Sequence, residues 1–425
     1  MKHGIFFALV LIVNVCTGRA QSLYKDYKLK EANFIYQDSA NGEKAIGDYE
    51  PTSLIGLNDG SLVVSTQFSI SFPSQDKTPL KYDSTYFARS KVYMEKSHVS
   101  SGSIFKLNGR FEKEWEIVFR DKRVCKINLC SDSTIIAVAE KVEMDRFWIA
   151  KMDLSGKVIW EKEYRNNHEV SVADVVLDSL NNIYVLTESN RIIPVQLKRL
   201  EFGYKRLEFF KMAEMDDDLY LIKISPEGKK IWTATLDNRK NFETFGYRLI
   251  QAGDRIYASS SYDGFRKNIK YEGRNVFELN TKGRLLNRYE TLHNSLLFFE
   301  NGLISGTTSG DGPVKVFRNV FKDSLELCSI NAPAEINHSR FIKGINVIES
   351  KYLLGTCNYS QGYFLMKLNK DYLCKEYWID EEYKECRPVD FTVLSDGSVV
   401  ILGTKWIKVD NCFHNYTNLI KLSIN

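Results

Sequence analysis

The sequence has few of the residue patterns on which metal and nucleophilic chemistry depend. Its six histidines are scattered over 425 residues, and no two of them have the spacing of a metal-binding pair. There is no Cys-x-x-Cys motif, no pair of adjacent cysteines and no Gly-x-Ser-x-Gly motif. We therefore predict no metal, no cofactor and no catalytic residues.

The chain also lacks a strong net charge. It has 58 Lys and Arg residues against 54 Asp and Glu residues, which leaves a formal net charge of +4. For a chain of this size, so small an excess does not indicate an electrostatic partnership with nucleic acid. We predict no nucleic-acid partner.

A long apolar stretch occurs only near the N terminus, at residues 5–15. Its roughly eleven residues are too few to span a bilayer, which needs about 20. Lys2 precedes the stretch, and Gly18 and Ala20 follow it with the small side chains that a signal peptidase recognises. Residues 1–20 are therefore typical of a secretory signal peptide.

A lipoprotein signal ending at Cys16 is the alternative, but Asn14 and Val15 are poor neighbours for that processing. With simple cleavage, the mature chain is 21–425. We predict that it is exported, without a membrane span, to the periplasm, the cell surface or the extracellular space.

Cysteine is scarce and unevenly placed. Of eight cysteines, one lies in the predicted signal, which leaves Cys125, Cys130, Cys328, Cys357, Cys374, Cys386 and Cys412. An odd number leaves at least one thiol that is free or linked to another chain. Cys125 and Cys130 lie an odd number of positions apart on a predicted strand and would face opposite ways, which argues against a bridge between them.

Hairpins recur along the chain with a common pattern. An apolar strand carrying a lysine leads, nine residues later, to a tryptophan in three places: Lys106 to Trp115, Lys151 to Trp160 and Lys223 to Trp232. Between them lies a turn that contains glycine, a residue that readily adopts positive φ. Weaker copies follow at residues 276–279, 316–318, 365–368 and 419–422.

A second hairpin precedes each of these, most clearly around Asp59-Gly60 and Asp396-Gly397. The two hairpins form seven pairs, but the last pair lacks its fourth strand. Residues 32–36 have no hairpin partner and can supply it. We predict an all-β fold, a seven-bladed β-propeller of four-stranded antiparallel blades closed by an N-terminal strand, as one domain over 21–425.

These hairpins resemble the PQQ-like and related bacterial β-propeller repeats. The residues that carry the resemblance are Asp153, Gly156 and Trp160, then Gly228 and Trp232. The resemblance implies an architecture in which each tryptophan packs one blade against the next. It does not imply the quinone cofactor of the quinoprotein dehydrogenases, because the adjacent cysteine pair of those enzymes is absent.

Two long insertions, near residues 71–100 and 190–218, interrupt this regular pattern. Each falls between the second and third strands of its predicted blade, so both are expected on the same face. Aromatic and basic side chains are common anchors of interfaces and of sugar stacking. The candidate ligand-binding residues are therefore Tyr82, Tyr86, Phe87 and Arg89 in the first insertion and Phe202, Tyr204, Lys205 and Arg206 in the second. A flap that covers its own blade edges is the alternative for each insertion.

The predicted function is that of an exported, non-catalytic propeller that recognises or scaffolds a protein or glycan ligand at this face. One alternative is a carbohydrate-active enzyme, a glycan hydrolase or lyase, because a propeller can bring carboxylates from several blades to its central axis. A second alternative is an envelope-assembly subunit with a protein partner. The sequence leaves the oligomeric state open.

Overall fold

The structure is a computed structural model. It describes residues 28–34, 36–38, 45–71, 98–141, 146–165, 169–192, 215–237, 242–266, 269–291, 295–299, 302–307, 314–318, 325–330, 340–347, 350–356, 363–369, 374–379, 386–409 and 412–423. All regular structure in these ranges is β-strand. None of the described residues belongs to a helix with the length and apolarity that a membrane crossing needs.

The first three blades are antiparallel sheets of consecutive strands. The first blade contains β2 (Tyr36–Asp38), β3 (Ala45–Gly56), β4 (Leu62–Ser71), β5 (His98–Leu107) and β6 (Lys113–Arg120). The second contains β7 (Lys122–Leu129), β8 (Ile135–Lys141), β9 (Arg146–Met152) and β10 (Val158–Arg165). The third contains β11 (Glu169–Leu177), β12 (Ile183–Ile192), β13 (Met215–Ile224) and β14 (Lys230–Asp237).

The next three blades follow the same order. The fourth contains β15 (Phe242–Ala252), β16 (Arg255–Arg266), β17 (Ile269–Asn280) and β18 (Leu285–Thr291). The fifth contains β19 (Ser295–Phe299), β20 (Gly302–Thr307), β21 (Val314–Arg318) and β22 (Leu325–Ile330). The sixth contains β23 (Arg340–Val347), β24 (Ser350–Thr356), β25 (Tyr363–Asn369) and β26 (Cys374–Ile379).

The closing blade joins both ends of the chain. It contains β27 (Cys386–Val393), β28 (Val399–Val409), β29 (Cys412–Ser423) and, outermost, β1 (Lys28–Phe34). Strand β1 runs antiparallel to β29, with Lys28 opposite Ser423 and Phe34 opposite Thr417. The pairing covers an edge of β29 that would otherwise offer unpaired backbone groups to another chain.

The prediction of seven four-stranded blades is wrong, because the structure has six four-stranded sheets. The remaining sheet, the first blade, has five strands. The predicted closing strand, residues 32–36, is divided in the structure between two partners. Residues 28–34 pair with β29, and β2 pairs with the start of β3, Tyr36 opposite Gly47. The additional strand satisfies backbone groups on the free edge of β3.

The first long strand of each blade lies innermost; in the first blade this is β3, whose start also pairs with the short β2. Strand β7 packs against both β3 and β11, and β27 packs against both β3 and β23. The other strands of each blade follow outward in chain order, except that β1 is outermost in the closing blade. Connections from the second to the third strand therefore leave the ring on the face at which the innermost strands begin.

Apolar side chains fill the space between neighbouring blades, and β8 shows how the sequence produces this. Ile135, Ala137 and Ala139 are buried against the first blade, whereas Ile136 and Val138 are buried against the third. Successive strand residues face opposite ways, so a strand covered on both sides needs an unbroken apolar run. Each fully buried Ile or Val contributes about 1.5–3 kcal/mol relative to an exposed one.

The repeated tryptophans join consecutive blades, which confirms the predicted role. The indole N–H of Trp115 donates to the Leu154 carbonyl at 3.1 Å, and that of Trp160 donates to the Pro226 carbonyl at 3.1 Å. Trp232 makes the equivalent bond to Thr281 at 3.3 Å. In each case the ring lies on the outer hairpin turn of the following blade. A Cβ added at the glycine of that turn would lie 3.2, 2.9 and 2.7 Å from the rings of Trp115, Trp160 and Trp232, respectively.

Cys125 and Cys130 are both free, which confirms that no bridge joins them. The predicted signal peptide, residues 1–20, lies outside the described residues. Among the residues that are described, no group of three or more His, Cys, Asp or Glu side chains could hold a metal ion.

Candidate functional site at the propeller axis

A β-bulge interrupts six of the innermost strands near their middle. The extra residues are Thr52, Cys125, Ala173, Tyr247, Ile342 and Val389. A bulge redirects the side chain that follows it. The six residues that follow occupy equivalent positions around the axis, and we call them the axial belt: Ser53, Lys126, Asp174, Arg248, Lys343 and Asp390.

One half of the axial belt joins the second, third, fourth and sixth blades. Asp174 accepts a hydrogen bond from the Leu249 amide at 2.9 Å, and Lys126 Nζ lies 3.4 Å from the Asp174 carboxylate. The Arg248 guanidinium donates to the backbone carbonyl of Ile342 in the sixth blade. Each of these contacts connects different blades, so the belt helps to hold the ring together.

The other half joins the sixth, closing and first blades through Asp390. Lys343 Nζ donates to Asp390 Oδ1 at 2.6 Å and to the Phe391 carbonyl at 3.1 Å. Asp390 Oδ2 accepts from the Leu54 amide at 2.9 Å, which is the equivalent of the bond between Asp174 and Leu249. Both axial carboxylates thus hold the backbone of the next blade, which gives them a structural role.

The accessible charge of the axial belt is positive. The side chains of Asp174 and Asp390 are 6% and 4% exposed, whereas those of Lys126 and Lys343 are 21% and 31% exposed. With Arg248, the belt has three cations and two carboxylates. Within the belt, the lysines are therefore more accessible than the carboxylates.

The pKa values of Lys343 and Asp390 reflect burial and the neighbouring charges of the belt. Burial lowers the pKa of Lys343 below its ordinary value, and Lys126 and Arg248 act in the same direction while Asp390 opposes them. Burial acts to raise the pKa of Asp390, but Lys343 and Lys126 outweigh it, so that its pKa lies below its ordinary value. Asp390 is therefore held as a carboxylate at neutral pH and is poorly suited to act as a general acid.

Two glutamates on second strands repeat the same kind of bond nearer the insertion face. Glu140 Oε1 accepts from the Val172 amide at 2.7 Å, and its other oxygen lies 2.7 Å from the Arg123 guanidinium. Glu188 accepts from the Gly246 amide. These carboxylates also connect one blade to the next.

Two exposed aromatic side chains lie on the innermost strand of the fourth blade. Phe245 is 40% exposed and Tyr247 is 49% exposed, and the Tyr247 hydroxyl lies 2.7 Å from Ser261 Oγ. Both precede Arg248 on β15, which begins at the insertion face. Arg387, two residues before the bulge of β27, is exposed at the position equivalent to Phe245. Glu50 is exposed at the equivalent position of β3, so this end of the axis combines aromatic, cationic and anionic surface.

The eight predicted ligand-binding residues lie outside the described residues: Tyr82, Tyr86, Phe87, Arg89, Phe202, Tyr204, Lys205 and Arg206. The strands that flank them are described, and they place both insertions between second and third strands. Residues 72–97 connect β4 to β5, and residues 193–214 connect β12 to β13. Both connections therefore start at the face where Phe245 and Tyr247 lie.

No family model matches this chain, and no curated protein sequence matches it. Three solved structures are similar to it in fold. The Dos1 propeller is 7% identical with a TM-score of 0.49, covering 94% of this chain and 95% of that chain. The polysaccharide lyase Uly1 is 8% identical with a TM-score of 0.49, covering 93% and 99%. An acylaminoacyl peptidase from Pyrococcus horikoshii is 9% identical with a TM-score of 0.48, covering 86% of this chain and 52% of that chain.

This chain thus spans about half the length of that peptidase. The fold is a β-propeller, which its own sheets establish. Such low identities bear on fold alone and favour neither an enzyme nor a binding protein. The resemblance to PQQ-like repeats stays a prediction.

Proposed function

We propose that this protein is a non-catalytic binding propeller that acts outside the cytoplasm and captures its ligand at the insertion face. The observation that carries the proposal is the exposure of Phe245 and Tyr247 on an innermost strand. Large exposed aromatic side chains near the centre of a surface are typical anchors of binding sites. Export is inferred from the signal-like residues 1–20.

The state of the carboxylates supports the non-catalytic part of the proposal. Among the innermost-strand side chains that the structure describes, the carboxylates are Glu50, Asp174 and Asp390. Glu50 accepts from Gln67 Nε2 at 3.0 Å, and the two aspartates bind the next blade. A general acid or base needs an oxygen that can reach substrate, and the two buried aspartates do not offer one, whereas Glu50 is exposed.

The test compares ligand capture by the wild type and by the double variant F245A/Y247A, on a glycan array and in pull-downs from an extract of the exported proteins. We expect capture to be lost while the thermal melt stays close to that of the wild type, because exposed substitutions change stability by less than about 0.5 kcal/mol. The matched control is I159A/I231A, which removes side chains that are 53% and 50% exposed on the outer strands β10 and β14.

Equal capture by F245A/Y247A and by the wild type would contradict the proposed site. The triple variants Y86A/F87A/R89A and F202A/Y204A/R206A test whether the insertions take part, and we expect each to weaken capture. Incubation of the protein with neutral and acidic polysaccharides, followed by chromatography of the products, tests the alternative function. Release of shorter oligosaccharides would refute the non-catalytic proposal.

A further inference from the structure

The axial belt concentrates positive charge at one level of the ring. Lys126 comes from the second blade, Arg248 from the fourth and Lys343 from the sixth, so the three cations approach the axis from different sides. Two belt carboxylates face them, which leaves one positive charge in excess. An uncompensated charge that has been partly removed from water is costly, and a bound anion relieves that cost.

Among the described residues, the carboxylates nearest the belt have partners of their own. Glu50, exposed on β3 at the position equivalent to Phe245, accepts a hydrogen bond from Gln67 Nε2 at 3.0 Å. Glu140 is paired with Arg123. Glu188 lies on the second strand β12, and its carboxylate is bonded to the Gly246 amide on the side that faces the fourth blade. Lys126 and Lys343 each contact a belt aspartate, so the charge in excess is that of the Arg248 guanidinium, whose described hydrogen bond is to a backbone carbonyl.

An aromatic surface adjoins these cations. Phe245, Tyr247 and Arg248 are nearly consecutive on β15, and a strand rises about 3.3 Å per residue, so the segment from Phe245 to Arg248 spans roughly 10 Å. Aromatic faces stack on sugar rings, and guanidinium and ammonium groups bind carboxylates and sulfates through charge-assisted hydrogen bonds. Exposed Arg387 adds a further cation at the same end of the axis.

We propose that the axis binds an anionic sugar, whose carboxylate or sulfate group lies among Lys126, Arg248 and Lys343 while its ring stacks on Phe245 or Tyr247. This inference rests on the proposed function and adds the class of ligand. An acidic peptide would use the same cations, but the two exposed aromatic side chains favour a sugar.

Arg248 offers the cleanest variant because its described hydrogen bond is to a backbone carbonyl. R248Q removes the charge without leaving a buried carboxylate unpaired, although its shorter amide gives up the hydrogen bond to the Ile342 carbonyl. R248K restores a charge at the same position. K343M is unsuitable, because it would leave the Asp390 carboxylate buried without its partner.

The experiment measures binding of four probes to the full mature chain by calorimetry: an oligogalacturonide, a heparin-derived oligosaccharide, a neutral cello-oligosaccharide and a poly-glutamate peptide. We expect one or both anionic sugars to bind, with a Kd that rises with salt concentration. R248Q should raise that Kd about tenfold or more, and R248K should recover part of the loss. The two anionic sugars distinguish carboxylate from sulfate.

Binding of the peptide alone, binding of no probe, or an unchanged Kd for R248Q would each overturn the inference. If the neutral sugar binds as well as the acidic ones, and F245A/Y247A abolishes its binding while R248Q does not, the inference fails and the proposed function stands. A thermal melt of R248Q close to that of the wild type ensures that a weaker Kd reflects the site and not the fold.

Discussion

Two glycines with the same backbone conformation but different surroundings separate backbone strain from packing. Gly228 has a φ of +76° and Gly397 a φ of +79°. A Cβ added at Gly228 would lie 2.9 Å from Trp160 Cζ3, whereas one added at Gly397 would meet no atom within 4 Å. G397A should therefore lower the free energy of unfolding only through its left-handed backbone conformation. G228A should lower it further, because the new Cβ displaces the Trp160 indole.

The expected magnitudes follow from these contacts. A left-handed conformation costs an L-residue roughly 1–2 kcal/mol, which is the expected loss for G397A. Overpacking adds about 1–3 kcal/mol at Gly228. The Trp160 ring cannot move freely, because its N–H donates to the Pro226 carbonyl. The side chain of Lys162, also 2.9 Å from the added Cβ, is flexible and gives way at little cost.

The assay is the denaturant midpoint of each variant, followed by intrinsic fluorescence, with the slope of the transition checked for loss of cooperativity. A double-mutant cycle with W160L sharpens it. Because W160L removes the ring that the new methyl group would strike, G228A should cost less in the W160L background than alone. Equal losses for G228A and G397A, or strict additivity with W160L, would refute the packing of tryptophan on the following turn.

Three further predictions concern other parts of the molecule. The pKa of Asp390 is lower in the folded protein than its unfolded value near 3.8. The ionised carboxylate therefore stabilises the fold above about pH 4, and this stabilisation is lost as the pH falls further. In D390N, the melting temperature should decline less steeply below about pH 4. Burial raises the pKa of Cys125 and of Cys130, so neither thiol should react with a thiol reagent at neutral pH while the protein is folded. After unfolding without a reducing agent, a monomer should show an odd number of free thiols, at least three. Removal of residues 28–34 exposes the edge of β29 and should cause aggregation. A control chain that starts at residue 27 keeps β1 and should elute from a sizing column as the mature protein does. If the chain without residues 28–34 also elutes in this way, the closure by β1 is refuted.

The hairpins could be predicted from the sequence because their signals are local. The turn around Asp153 and Gly156 is held by bonds within five residues, such as the Ser155 and Lys157 amides to Asp153 Oδ1 at 2.9 and 3.0 Å. A turn of this kind, with Trp160 at a fixed distance, forms in much the same way in any blade. The pairing partner of an isolated strand lies far away in the sequence and is not indicated by the residues around the strand. The local pattern therefore predicts one strand before β3, whereas this segment forms two, one paired with β29 and one with β3.

The axial belt could not be predicted from the alternation of apolar and polar residues, because a bulge changes the direction in which the following side chains point. In β11, Val170, Val172 and Asp174 occupy alternate positions, and a regular strand would place all three on one side. The structure pairs Val172 with Thr187 and Asp174 with Leu186, which are successive residues of β12 and face opposite ways. The extra residue therefore turns Asp174 toward the fourth blade, while the valines stay packed toward the second.

A positional signal nevertheless exists for four of the six belt residues, although not for Lys343 or for Arg248, which lies five positions before Gly253. Ser53, Lys126, Asp174 and Asp390 each lie seven positions before a turn residue with positive φ: Gly60, Ser133, Asn181 and Gly397 respectively. Because the turn sets the register of the first two strands, residues at the same distance from the turn lie at the same height along the axis. Residues that are scattered over more than 330 positions of sequence are thus brought to the same height. Their charges act together only because the ring closes, which is why the site depends on the fold and carries no motif of its own.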